Sequence, residues 1–270
     1  MTVTLEGGCR VSDMREGCPL IAGTLRIWNR IGRATGAQAI SLRVLEFAPG
    51  LSPGIRNDDC DEILYVLDSE HGHPVRPSEG SERSSIVQGA QVFINGHSQD
   101  ISPDTGIYLR PGETFAVNNP GPNSIVMVSS QCPDPDREPE FVEALTSPKV
   151  DSPGPSPLVR LSDRPAQPTA DRWYRVLVDD EIGSTNATQF VGSIPPGRAP
   201  DHFHQYEEVL FILRGEGRLW AGETNTPIAP GSCIYLPRGQ VHCVENTGKD
   251  ELRLLGVFYP AGSPSVRYDA

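Results

Sequence analysis

Three imidazoles and one carboxylate stand in two short clusters of this 270-residue chain. His202 and His204 are two residues apart in Gly197-Arg-Ala-Pro-Asp-His202-Phe-His204-Gln-Tyr-Glu-Glu208, so on a β-strand they point to one face. Glu208 opens Glu-Val-Leu-Phe-Ile-Leu, a β-branched and aromatic run ended by Arg-Gly-Glu-Gly. His242 lies in Gly231-Ser-Cys-Ile-Tyr-Leu-Pro237-Arg-Gly239-Gln-Val-His242-Cys-Val-Glu-Asn246, a strand-turn-strand pattern punctuated by Pro237 and Gly239. If these strands curl into one small barrel, the four side chains converge inside it. Three neutral nitrogens and one carboxylate oxygen suit a single divalent Fe, Mn, Ni, Cu, Co or Zn ion. Three or four protein ligands leave positions open for water or substrate, which separates a catalytic site from a closed structural one.

The elements that must hold these residues are short strands. The chain has 27 glycines and 26 prolines and moderate charge, which favours many strands joined by tight turns. The formal net charge of -12 argues against nucleic acid or an anionic membrane surface as partner. No run of about 18 apolar residues is present to span a membrane. The first residues carry neither a basic n-region nor an apolar h-region, so a cytoplasmic protein is expected. Six scattered cysteines without a CxxC pair are then expected to be reduced. Cys243, beside His242, points to the opposite face of its strand and reads as a small buried hydrophobe.

The first half reads as a worn copy of the second. Gly36 to Gly50 matches Gly183 to Gly197 in length and pattern, Asp61-Glu62-Ile-Leu-Tyr-Val-Leu parallels Glu207-Glu208-Val-Leu-Phe-Ile-Leu, and Thr105 to Asn119 parallels Ser232 to Asn246. A repeat of this size implies two copies of one fold. In this alignment His202 corresponds to Arg56, His204 to Asp58 and His242 to Phe115, while Glu62 keeps the type of Glu208. Arginine is not a metal ligand here and phenylalanine has no donor atom, so the first copy is expected to hold no metal. Arg56 and Glu62 are expected to face each other as an ion pair. His71 and His73 fall in a loop before a Pro/Ser/Glu-rich stretch and are read as solvated; His97 reads as a turn residue.

The halves are expected as residues 1–131 and 171–270, with 132–170 as a linker. The linker carries a short helical candidate from Glu138 to Leu145, with acidic residues in its first turn and Phe141, Val142 and Leu145 on one face. The Pro-rich stretch after it reads as extended. The tail after Tyr259 is expected to be irregular. Glu207 is expected to face solvent, and Trp220 and Phe211 to pack. Tyr206, in the turn beside the four ligands, is the candidate gate or proton donor, with packing as its alternative.

The two clusters resemble the paired motifs of the cupin superfamily. Glu208 to Gly215 matches the end of the first motif, although the spacer after Gly197 is one residue short. Gly231, Pro237, Gly239, His242 and Asn246 fit the second motif at every position. The resemblance implies an all-β bicupin, two tandem jelly-roll barrels, with His202, His204, Glu208 and His242 as metal ligands in the C-terminal barrel. It also implies a metal-dependent enzyme. A dioxygenase acting on a small chelating enolic, phenolic or oxo-carboxylate substrate is the first expectation. A non-redox isomerase, decarboxylase or aminohydrolase is the alternative, and a small-molecule-binding cupin is the competing class. The expected partner is a small molecule, and a homodimer is compatible with this reading.

Overall fold

A computed structural model describes residues 1–68, 89–148, 156–266 and, for the backbone alone, 268–269. His71 and His73 lie outside the described residues. The chain is two antiparallel β-barrels, each a pair of facing sheets. In the second, an eight-stranded sheet runs Val3–Thr4, Arg10–Asp13, Ser232–Leu236, Glu207–Arg214, Leu252–Tyr259, Thr188–Ile194, Arg172–Val178, Gln167–Thr169. Opposite it lie Thr224–Ile228, Gly217–Ala221, His242–Asn246, His202–Phe203 and Tyr268–Asp269, with Gly197–Arg198 also paired to His242–Asn246. The first barrel repeats this plan. Its larger sheet centres on Thr105–Leu109, Asp61–Val66, Ile125–Cys132 and Leu42–Phe47, and its smaller one on Gln91–Ile94, Thr114–Asn119 and Gly54–Arg56.

The two larger sheets pack against each other, and this decides which way each residue faces. On Glu207–Arg214, Val209, Phe211 and Leu213 enter a core shared by both barrels, while Leu210 and Ile212 fill the second barrel. On Asp61–Val66, Ile63 and Tyr65 join the shared core, while Leu64 and Val66 fill the first barrel. Both faces are buried, so the strands read as continuous apolar runs rather than alternating ones. Each half also lends a strand to the other. Arg10–Asp13 pairs with Ser232–Leu236, and Leu158–Arg160 pairs with Thr105–Leu109.

Three expectations are corrected here. Glu207 does not face solvent. Pleat parity turns it with Val209 and Phe211 into the shared interface, where it is 7% exposed. There its carboxylate accepts the backbone N–H of Gln38 (2.9 Å) and Ala39 (2.7 Å) and the hydroxyl of Tyr235. Asp61 does the same from the other side, accepting from Tyr108 Oη (2.9 Å) and Asn186 Nδ2 (3.0 Å). Next, the helix expected from Glu138 to Leu145 is absent: Glu140–Val142 is a strand on the edge of Gly54–Arg56. So short a helix is marginal alone, and an open strand edge offers the same backbone a ladder. Gly54 permits the approach, because a Cβ there would sit 2.9 Å from the Glu143 carbonyl oxygen. Finally, the tail is not irregular throughout, since Tyr268–Asp269 pairs with His202–Phe203. A smaller difference concerns His97, which opens the strand His97–Asp100 after a turn at Asn95 and Gly96, both at positive φ (50° and 87°).

Because the Glu207 carboxylate carries a polar contact between barrels, Glu207→Leu should destabilise the protein by about 3 kcal/mol, leaving two part-buried amides and the buried Tyr235 hydroxyl unpaired. Glu216→Ala, at an exposed site, should stay within about 0.5 kcal/mol. Chemical denaturation of the two variants checks this; equal midpoints would contradict it.

Candidate metal centre

His202 and His242 are cross-strand partners in the smaller sheet of the second barrel. His204 follows His202 by two residues. Its carbonyl oxygen accepts from Gly239 N at 2.8 Å, so the turn of the second cluster holds the backbone of the first. Gly239 adopts φ 76°, the left-handed region where glycine costs nothing. Asn246 closes the loop below, its Nδ2 donating to the carbonyls of Ile194 and Asp250, each at 2.8 Å. Glu208 arrives from the opposite sheet, paired with Leu236 and Phe258. The four side chains therefore meet across the barrel.

Candidate ligand atoms of His202, His204 and His242 lie within 4.8 Å of one another. Glu208 Oε2 lies 3.5 Å from His204 Nε2 and 3.9 Å from His242 Nε2. His202 Nδ1 is 3.0 Å from the Pro200 carbonyl and His242 Nδ1 is 2.8 Å from the Gln240 carbonyl. Those contacts favour the proton on Nδ1 and make Nε2 the nitrogen with the lone pair, the usual arrangement of a metal-ligating imidazole. His204 Nδ1 makes no hydrogen bond of normal geometry, with the backbone of Val266 its neighbour on that side. Burial, with His202 as the second cause, pulls His204 down to about 4 and His242 down to about 3. Burial lifts the Glu208 carboxyl to about 8. A group of three imidazoles, two of them held neutral by burial, around a buried carboxylate fits one divalent cation.

The cluster lines a cavity of about 110 Å³. Its walls are mostly apolar, with Phe190, Leu210, Leu236, Val244 and Phe258. Arg172 lies on the wall as well, its Nε 3.4 Å from Asp171 Oδ1. Tyr174 also lines it, with its hydroxyl donated to Gln167 Oε1 at 2.9 Å. Tyr206 does not reach the cavity wall. Its ring stacks on His204 (4.9 Å, 11°) and its hydroxyl donates to the Ser263 carbonyl at 3.2 Å. Sequence reasoning did not single out Arg172, Phe190 or Phe258, because each comes from strands without a motif.

The first barrel is corrected by one residue of register. Ile55, not Arg56, is the partner of Phe115, as His202 is of His242. Asn57 takes the place of His204, its carbonyl oxygen accepting from Gly112 N at 2.8 Å as His204 accepts from Gly239. One extra residue before Glu62 causes the slip, and a one-residue slip on a strand reverses the face. Arg56 therefore points outward and pairs with Asp58 at 2.7 Å, not with Glu62. Glu62 is met by Arg43 Nη2, by Ser129 Oγ at 2.7 Å and by Asn57 Nδ2. Arg43 stands where the second barrel has Phe190: Arg43 pairs with Ser129 and Phe190 with Gly256. The signal was present as an arginine inside the apolar run Leu42 to Leu45.

Residues 190–258 match the family model described as "Cupin domain". Auxin-binding protein 1 of Arabidopsis thaliana is 36% identical over 73 residues, 24% of this chain and 37% of that protein. The oxalate-binding protein of Thermotoga maritima is 36% identical over 67 residues, 24% of this chain and 55% of its own length. The chain thus spans about half or less of the curated relatives it matches. Among solved structures, the Mn(II)-containing oxalate decarboxylase of Bacillus subtilis superposes with a TM-score of 0.72 at 12% identity, covering 96% of this chain and 78% of that one. The formate complex of Lactobacillus farciminis oxalate decarboxylase gives 0.68 at 12% identity, covering 93% and 86%. At such identity the likeness is one of fold.

If Glu208 must shed a proton to bind a cation, affinity for Mn(II) should rise about tenfold per pH unit from about pH 6 to 8 and flatten above. His204 and His242, pulled down to about 4 and about 3, are neutral throughout that range and contribute no slope. Chelator competition across pH measures this, and Glu208→Gln should remove the slope; a midpoint near 6.5 would instead implicate histidine. Tyr206→Phe keeps the ring against His204 and should leave affinity within about twofold, whereas Tyr206→Ala should lower it about tenfold.

Proposed function

The chain is a bicupin of the cupin superfamily, and from that premise we propose that its second barrel is a metal-dependent active site for a small chelating carboxylic acid. His202, His204, Glu208 and His242 hold one divalent transition metal ion. The observation that carries this reading is their convergence at the wall of a cavity of about 110 Å³. A chelating acid of a few carbons, oxalate or a short 2-oxo acid, is the substrate class proposed for it. The mostly apolar walls strengthen the charge interactions beside them. Arg172 supplies the cationic side chain on the wall and favours an anionic substrate.

The bound ion would supply Lewis-acid polarisation of the chelated oxygens. The residues of the chain bind, orient and shield. Tyr206 fixes the plane of His204 from behind, so its role is positioning rather than proton donation. Tyr174, a hydroxyl on the cavity wall held by Gln167, is the neutral group able to hand a proton to a product. We place decarboxylation, a non-redox carbon–carbon cleavage, ahead of the dioxygenase expectation. Neighbours whose names are oxalate decarboxylases support that order.

A second reading is a carboxylate-binding protein without turnover. It is favoured by the engagement of both nearby tyrosine hydroxyls and by two relatives named as binding proteins. Metal-loaded protein offered oxalate and short 2-oxo acids should release CO2 without net oxygen consumption, and chelation should abolish this. Arg172→Leu should raise KM several-fold and leave metal content unchanged. Oxygen uptake matched to product would restore the dioxygenase. Saturable binding without product would establish the binding protein, and undiminished turnover in metal-free protein would discard every metal-dependent reading.

A further inference from the structure

The first barrel has exchanged apolar for polar at the two positions that wall the cavity of the second. Arg43 replaces Phe190, as the strand registers show. Gln131 replaces Phe258, since Gln131 pairs with Glu62 as Phe258 pairs with Glu208. Both polar residues are almost wholly buried, Arg43 at 3% exposure and Gln131 at 2%. Both line a cavity of about 230 Å³, more than twice the volume of the one beside the histidines.

Three donor atoms on this pair are buried and have no hydrogen-bond partner among the described residues: Arg43 Nε, Arg43 Nη1 and Gln131 Nε2. Arg43 Nη2 is already committed to Glu62 and to Ser129 Oγ at 3.2 Å. Gln131 Oε1 faces Ser41 Oγ at 3.5 Å, and Ser41 Oγ also accepts from Gln131 N at 3.1 Å. A buried amide or guanidinium N–H without an acceptor costs free energy comparable to a lost hydrogen bond, and three on two adjacent side chains is far from the usual satisfaction of buried polar groups. All three are donors, so whatever completes them must accept. At the mouth, Arg33 and Arg137 stand among Asp134, Asp136 and Glu138. The Asp134 oxygens are occupied, accepting from Arg33 N (2.8 Å) and Asp136 N (3.0 Å).

We propose that this cavity is a second ligand site, independent of the metal centre, and that it takes a small carboxylate whose oxygens accept from Arg43 and Gln131. The two carboxylate oxygens match donors on two different residues, and a guanidinium suits a planar oxyanion. Glu62 does not compete for the ligand, because it lies on the far side of Arg43 and neutralises the buried cation before the ligand arrives. The site thus reads one carboxylate by hydrogen bonds where the other barrel reads its own through a metal. It does not rest on the metal reading, since none of its residues belongs to the histidine cluster.

The test uses full-length protein stripped of metal, with acetate as probe and acetamide as the neutral control, followed by the side-chain amide resonances of Gln131 and by calorimetry. Acetate should bind saturably, shift the Gln131 amide signals and outbind acetamide by tenfold or more. Gln131→Leu should weaken acetate at least tenfold. The double variant Arg43→Met with Glu62→Leu, which removes the buried pair together, should abolish binding, while His204→Ala should leave it unchanged. No saturable binding in folded wild-type protein would show the cavity to hold water alone and overturn the proposal. Binding that survives the double variant, or that disappears in His204→Ala, would overturn it as well.

Discussion

The long strands of the two larger sheets have no solvent face, and the rest of the molecule follows from that constraint. A strand buried on both sides must send every residue either into its own barrel or into the interface with the other. Adjacent carboxylates on one strand are then driven to opposite environments. Glu207 is held between barrels by two backbone amides and Tyr235, while Glu208 is sent inside. Asp61 and Glu62 repeat the division in the other half. Inter-barrel packing therefore decides where the chemistry-bearing group points, before any ligand is considered.

A carboxylate inside a barrel is a standing demand for positive charge. Unmet, it keeps its proton, and burial alone raises Glu208 far above the ordinary carboxyl value. The two halves meet that demand differently. In the second barrel three imidazoles converge on it, and burial lowers the proton affinity of His204 and His242, keeping them available as ligands rather than as counter-ions. In the first barrel a guanidinium from the next strand but one lies on the carboxylate itself. Arg43 occupies the position of Phe190, and Ser129 that of Gly256, where a Cβ would sit 2.3 Å from the Phe190 ring. Each barrel is thus consistent within itself. Phe190 requires glycine opposite and leaves the carboxylate to an external cation, whereas Arg43 with Ser129 satisfies it internally.

Much of this was legible in the sequence because it rests on spacing. His202, His204, Glu208 and His242 come together as two-residue strand periodicity and the Pro237–Gly239 turn require. Phe115 falls at the position of His242 because its strand has no insertion. What could not be read was set by length and by partners. One residue added between Asn57 and Glu62 moved Arg56 from the inside to the outside, and a lone sequence does not say on which side of a histidine position a loop absorbs its extra residue. Glu207 was misjudged because strand alternation assumes one wet face, and here the first barrel supplies the missing wall. The segment Glu138 to Leu145 has helical periodicity, but a free edge at Gly54–Arg56 offered its backbone more than a single turn of helix would.

The motif residues that bear no ligand atoms explain why the first barrel keeps its shape after losing three ligands. Asn119 repeats Asn246, donating to the carbonyls of Phe47 (2.9 Å) and Asn123 (2.8 Å) and accepting from Gly121 N (2.9 Å), as Asn246 does with Ile194, Asp250 and Gly248. Gly112 repeats Gly239 in holding the backbone of the first cluster. These contacts are made by backbone and amide groups that no metal touches. The barrel is therefore built by the turn and loop hydrogen bonds of the motif, and its ligand positions are left free to change. Histidine at those positions gathers three candidate ligands around a carboxylate; isoleucine, asparagine and phenylalanine, with an arginine two strands away, make a polar core in which Glu62 is satisfied internally.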